Sequence, residues 1–289
     1  MHGICHATGL CQQPPTTAAA FRLSTINDRL CVRGSRRYLG RMHSERDLPY
    51  YNGQPVDISP VGWLAVLVSV AVAVALLITL PFATFPLILV PAIALAGLPL
   101  LTLAAVTGGR HTALFGRFGF KELGLAILFA FLTLVASFAA GLLLAQFISM
   151  TPNPTAGMLA DLGLADMAVF FVRTIIQLIG EELITILPLL AALWLCVRKF
   201  DLSRRLGLVI AVIVSTLWFA AIHLPTYNWN IIQCLAGIGT ARLVLTMAFL
   251  VTRNLWVSSG AHIVNDWTEF LLPAVLGSLA DPGLLDAAT

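Results

Sequence analysis

Residues 167–197 read MAVFFVRTIIQLIGEELITILPLLAALWLCV, and this stretch decides the fold. It is an apolar run with two adjacent carboxylates, Glu181 and Glu182, near its middle. An ionisable side chain at bilayer depth costs about 2.5–3.5 kcal/mol on insertion scales, so two in succession need a reason. A solvated charge pair is the usual meaning of two glutamates on a helix, but the apolar flanks exclude it here. Two readings remain. One is structural: the acids are protonated, or Arg173 pairs with them as polar glue between helices. The other, which the depth favours, is a functional site. At 1.5 Å per residue the run is about 46 Å long as a helix, too long for one upright crossing and too short for two. Pro188 is expected to kink it.

The whole chain agrees with a membrane setting. It has 289 residues, 58% of them hydrophobic and only 11% charged, against about 25% charged in soluble domains. Its mean hydropathy is +0.90. The net charge of +3 is too small to suggest a nucleic-acid partner; the partners expected are the lipid bilayer and a membrane-associated substrate. About 20 apolar residues cross a bilayer, and seven runs qualify: 61–80, 86–107, 122–148, 167–197, 206–227, 231–252 and 254–276. The fold class is therefore an all-α, polytopic transmembrane bundle of about seven spans. Its membrane domain covers 61–276, with a polar segment over 1–60 and a short tail over 277–289.

The first 60 residues lack the apolar core of a secretory signal. Met42 opens a short polar lead into the first span, so translation is expected to start there, with an Arg-rich transit-type segment as the rival. A mass that includes residues 1–41 in protein made from the native locus would reject that start. His2, Cys5, His6 and Cys11 have no zinc-type spacing. Nothing in the five cysteines argues for structural disulfides.

Arginines precede the first span. Arg110, Arg117 and Lys121 follow the second, Arg198, Lys199, Arg204 and Arg205 the fourth, and Arg253 the sixth. With seven crossings all of them fall on one side, cytoplasmic by the positive-inside rule. The opposite loops carry no Lys or Arg but do carry Asp161, Asp166, Asp281 and Asp286. The N-terminus is thus expected inside and the C-terminus outside, in a cell (inner) membrane. Trp63, Trp229 and Trp256 fall near predicted interfaces, where Trp is favoured.

Few ionisable residues remain within the spans: Arg173, Glu181, Glu182, His223, Arg242, His262, Asp266 and Glu269. Phe219 and His223 are four apart and share a helix face, as do His262 and Asp266. Asp266 would orient His262 or act itself, Glu269 reads as structural or interfacial, and the two arginines are expected to neutralise carboxylates. Burial disfavours the charged form of a carboxyl group, which suits it to accept and return a proton near neutral pH. A His beside it can polarise a water, and a second His can donate to a developing oxyanion. This is the equipment of peptide hydrolysis without a covalent nucleophile; Ser215, Ser258 and Ser259 are not paired with a base. His223, His262 and Glu181 or Asp266 also fit zinc by type, although the HExxH motif is absent.

Glu181-Glu182, Phe219-x-x-x-His223 and His262-x-x-x-Asp266, in that order on successive membrane helices, resemble the CPBP family, also called Abi. These are the CAAX-protease and bacteriocin-processing intramembrane endopeptidases. The resemblance covers about residues 170–270, within a protease core over 167–276. It implies that Glu181 activates water together with His223, that Glu182 supports the site, and that His262 and Asp266 stabilise the oxyanion. Members are described both as metalloproteases and as metal-free glutamate proteases; no cofactor is favoured here, with zinc as the alternative. The family's Arg after the glutamates would fall at position 186, where this chain has Ile186. Arg173 or Arg242 would have to replace it. Otherwise the chain would be an inactive immunity or scaffolding member of the same fold. A proton-coupled transporter is the rival from outside the family. As bounded, the spans set Glu181 mid-membrane, His223 toward the outer end and His262 toward the inner third. The substrate and the oligomeric state leave no mark on the sequence.

Overall fold

In the computed structural model, residues 47–160 and 162–279 are described. The expectations for residues 1–46, including the Met42 start and the His/Cys cluster, lie outside them. The described residues hold seven long helices, one short helix and no strand. We number them α1 (Pro60–Thr79), α2 (Val90–Val106), α3 (Phe120–Leu144), the short α4 (Pro154–Ala160), α5 (Leu164–Trp194), α6 (Arg204–Ile222), α7 (Gly239–Thr252) and α8 (Leu255–Leu279). Short 3₁₀ turns precede α2 and lie between α2 and α3. Single π-helical segments follow α5 (Leu195–Lys199) and precede α7 (Gln233–Ile238).

Six helices are long and apolar enough to cross a membrane, and they coincide with the first six predicted runs. The seventh, α8, has the length, but Ser258, Ser259, His262, Asn265, Asp266 and Glu269 make it less apolar than the rest. Helix starts follow the sequence. Ser59 accepts the Gly62 amide and is followed by Pro60 at the first helical position. Ser203 caps α6 through the Leu206 amide. Both satisfy donors that the helix itself leaves open.

The overlong run is one continuous helix through Pro188, so it needs no break to be accommodated. The reason is its position. In α5, 78% of the apolar stretch is buried, against 11–39% in the other five. It is the central post of the bundle, packed by α2 and α6, with α8 also against it, while α3 packs on α7 and α8. The outward faces of the surrounding helices carry exposed Leu64, Phe131, Phe138 and Leu217, as helices meeting lipid do.

Gly180, immediately before the two glutamates, permits the close approach of α5 to α2. A Cβ there would lie 2.9 Å from the Ala96 amide nitrogen and 3.0 Å from the Leu95 carbonyl carbon. Backbone cannot swing away as a side-chain tip can. Gly180→Ala is expected to destabilise the bundle by about 1–3 kcal/mol, read as a lowered melting temperature in detergent.

Residues 48–59, expected to belong to the polar segment, fold onto the bundle instead. Leu48, Tyr50, Tyr51 and Ile58 are buried. Tyr50 meets Trp63 edge-on, and Trp63 packs against Trp194 at the end of α5. Trp63 is therefore a core residue rather than an interface anchor, while Trp229 and Trp256 stay exposed. The Tyr50 hydroxyl donates to the Arg110 carbonyl, and Arg110 Nη1 donates to the Pro55 carbonyl. Arg204 Nε donates to the Tyr51 hydroxyl. Aromatic anchors and arginines thus tie this strap to the ends of three helices. Cys196 and Cys234 are buried free thiols.

Candidate active site

A cavity of about 510 Å³ is lined by Glu181, His223, His262 and Asp266 together with Arg173, Arg242 and Glu269. The depths inferred from span boundaries kept Glu181, His223 and His262 apart; the fold brings them together. Asn254, in the α7–α8 turn, is 4% exposed. It accepts from the Gly116 amide, donates to the Arg117 carbonyl and caps α8 through the Trp256 amide. These bonds fix the start of α8, and His262 lies two turns along it.

Glu182 is fully buried and makes a bidentate ion pair with Arg242, at 2.6 Å (Nη1–Oε1) and 3.1 Å (Nη2–Oε2). Arg242 Nε donates to the Thr246 hydroxyl at 3.1 Å, and its guanidinium carbon lies 5.2 Å from the Phe219 ring centroid. Two parallel charge-assisted bonds are among the strongest polar contacts a fold can make. Arg242 thereby provides the positive charge absent at position 186, where Ile186 is instead buried in the apolar core. Arg173 does not: its Nε is buried without an acceptor. The expectation that both arginines neutralise carboxylates is corrected to one.

His262 is held on the opposite edge of Glu182. Its Nδ1 lies 3.0 Å from Glu182 Oε1, which can only accept, so Nδ1 carries the proton. Its Nε2 faces Glu181 Oε2 at 3.8 Å and Asp266 Oδ1 at 3.6 Å, too far for direct hydrogen bonds but within charge-pair range. Gln177, one turn before Glu181, donates its amide to Glu181 Oε1 at 3.0 Å, leaving Oε2 toward His262. His223 closes α6. Its Nδ1 lies 2.8 Å from the Phe219 carbonyl oxygen, another group that can only accept. In the neutral ring this leaves Nε2 unprotonated, with its lone pair available. Phe219 spaces the site: its ring lies 4.4 Å from that of His223 and 6.2 Å from that of His262.

Asn265 is buried and donates to both Asp266 Oδ1 (3.0 Å) and Glu269 Oε1 (3.2 Å), so Glu269 belongs to the cavity rather than to an interface. Gln177 and Thr246 are polar partners of the site that the sequence reading did not single out. Both were open to discovery, since Gln177 with Glu181 and Arg242 with Thr246 are i,i+4 pairs on one helix face. Zinc would need about three N or O donors around one point. Among the described residues no group of three or more His, Cys, Asp or Glu side chains forms such a set. No step below runs through a metal.

Residues 163–268 match the family model for the type II CAAX prenyl endopeptidase Rce1-like proteins. The match falls on the CPBP grouping that the three motifs resemble. It spans α5 to most of α8 and so contains every cavity residue discussed above except Glu269. That likeness points to a peptidase in general, and it accords with the six helices among the described residues that are long and apolar enough to cross a membrane, as in a multi-pass membrane protein. No curated protein and no solved structure gives a significant match.

Proposed function

We propose that the chain is an intramembrane endopeptidase that hydrolyses a peptide bond of a membrane-associated protein or peptide, using a water activated by Glu181 and His223. One observation carries this reading: Glu181, His223, His262 and Asp266, from three helices, line a single cavity. The water is held by two acceptors, the Glu181 carboxylate and His223 Nε2. Glu181 takes its proton as the oxygen attacks the carbonyl carbon, then returns it to the leaving amine as the C–N bond breaks. Protonated on both ring nitrogens, His262 donates Nδ1–H to Glu182 and Nε2–H to the oxyanion. Asp266 orients that ring. Glu182 and Arg242 fix His262 and take no part in proton transfer. The chemistry is metal-free in this reading.

A quenched peptide library incubated with purified protein in detergent tests it. Cleavage is expected, and a chelator leaves it unchanged. Cleavage lost with chelator and restored by zinc would replace the metal-free mechanism. No cleavage of any member would favour the non-catalytic alternative.

The basic loops adjoin one end of the bundle, while Asn153, Thr226 and Tyr227 line the cavity from the loops at the other. Positive-inside orientation then makes the cavity open away from the cytoplasm. In intact cells a membrane-impermeant maleimide is expected to label Asn153→Cys and not Asp201→Cys. The reverse pattern would invert the orientation.

A further inference from the structure

The loop between α3 and α4 forms part of the cavity wall through Met150 and Asn153. Its sequence, Met150-Thr151-Pro152-Asn153-Pro154, favours an extended backbone, because a residue before proline is pushed out of the helical region. Gln233, which is buried, holds it there. Its Oε1 accepts from the Thr151 amide at 2.8 Å, and its Nε2 donates to the Thr151 carbonyl at 2.8 Å. One side-chain amide meets both backbone groups of one residue where they point the same way, as in a β-strand. Asn230 locks the arrangement. Its Nδ2 donates to the Ser149 carbonyl at 3.0 Å and to Gln233 Oε1 at 3.2 Å, and its Oδ1 accepts from the Gln233 amide. Ser149 and Thr151, two residues apart, thus present backbone to the same side, which is the period of a strand.

That alternation turns the backbone of Met150 the other way. Its N–H and C=O have no hydrogen-bond partner among the described residues, and the residue is exposed. On one edge of the loop a side-chain amide stands where a neighbouring strand would be; the other edge is open, at a residue that lines the cavity. An unpaired strand edge is a template for another chain, and adding a strand to such an edge is a recurring way of holding an extended peptide. We propose that residues 149–151 act as a one-sided strand on which the substrate peptide lies extended. A substrate N–H donates to the Met150 carbonyl, and a substrate carbonyl accepts from the Met150 N–H. Contact of this kind reads backbone rather than side chains, so the ligand class is an unfolded peptide segment of broad sequence. Gln233 and Asn230 are positioning residues that act through the loop. The proposal rests on the peptidase reading of the cavity.

The probe is fluorescein-Leu-Thr-Leu-Thr-Leu-Thr-amide, with one derivative N-methylated on its threonines and another on its second and third leucines. Binding to the full chain carrying Glu181→Gln, which keeps the peptide intact, is read by fluorescence polarisation in detergent. Along a strand the hydrogen-bonding edge and the side-chain face alternate together, so only one set of N–H groups meets Met150. One derivative is expected to bind about tenfold more weakly than the parent, as for one or two lost neutral hydrogen bonds. The other binds as tightly as the parent. Met150→Pro, which removes the N–H, weakens the parent by about the same factor, and Met150→Ala leaves it unchanged. Gln233→Leu frees the loop and makes all three peptides bind equally weakly. Both derivatives losing affinity alike, no binding of the parent, or Met150→Ala matching Met150→Pro would overturn the edge. So would a difference between the derivatives that persists in Gln233→Leu. The methylation comparison alters nothing in the loop, so it decides even where Met150→Pro melts early. Cleavage of the quenched library by the wild-type chain is followed alongside. Alternation without cleavage keeps the edge and removes the peptidase reading. Cleavage without alternation does the reverse.

Discussion

Glu181→Gln is expected to abolish peptide hydrolysis while leaving the protein folded and inserted. The substitution is nearly isosteric, and the new amide oxygen still accepts from Gln177, whose bond to Glu181 Oε1 is 3.0 Å long. What is lost is the second oxygen's ability to take a proton from water and return it to the leaving amine. Removing a positioned general base costs about 10²–10⁴-fold in rate. Here the same group serves as base and then acid, so the loss should reach the upper part of that range. The measurement is cleavage of a quenched peptide, with the melting temperature recorded on the same sample. Unchanged cleavage would remove Glu181 from the mechanism. Lost cleavage with a collapsed melting transition would assign it to the fold instead.

Arg242→Met is expected to have the largest effect on stability. The pair it breaks is fully buried on both sides, and the substitution strands the Glu182 carboxylate beside His262 with no counter-charge. Breaking one side of a buried pair costs about 3–5 kcal/mol, whereas exchanging both partners for neutral groups costs far less. The double variant Glu182→Gln with Arg242→Met should therefore melt above the Arg242→Met single variant. It should still cleave slowly, because His262 Nδ1 loses the carboxylate that orients it. Melting temperatures in detergent and cleavage rates together check this ordering. A double variant melting below Arg242→Met would mean that the pair is not the unit holding α5 to α7.

Arg242 also marks where sequence reading stops. The departure at Ile186 was visible in the sequence, and so were the two candidate replacements for the missing charge. The choice between them was not, because Glu182 and Arg242 are 60 residues apart and meet only once the bundle brings α7 within side-chain reach of α5. Gln177 is the contrary case: its bond to Glu181 lies within one helix, where spacing alone brings side chains together. The gathering of Glu181, His223 and His262 around one cavity was equally out of reach, because counting residues from span boundaries says nothing of how three helices pack against one another.

By itself the sequence determined the helical membrane class, the positions of the long apolar helices and the set of ionisable residues within them. Apolar runs of fixed length and ionisable residues within them are local properties, set by the cost of leaving backbone or charge unpaired in lipid. Tertiary structure alone decided that α5 is the central post, that Arg242 rather than Arg173 neutralises Glu182, and that His223 and His262 reach the level of Glu181. Those outcomes depend on packing between distant segments, where a single glycine such as Gly180 sets how closely two helices meet.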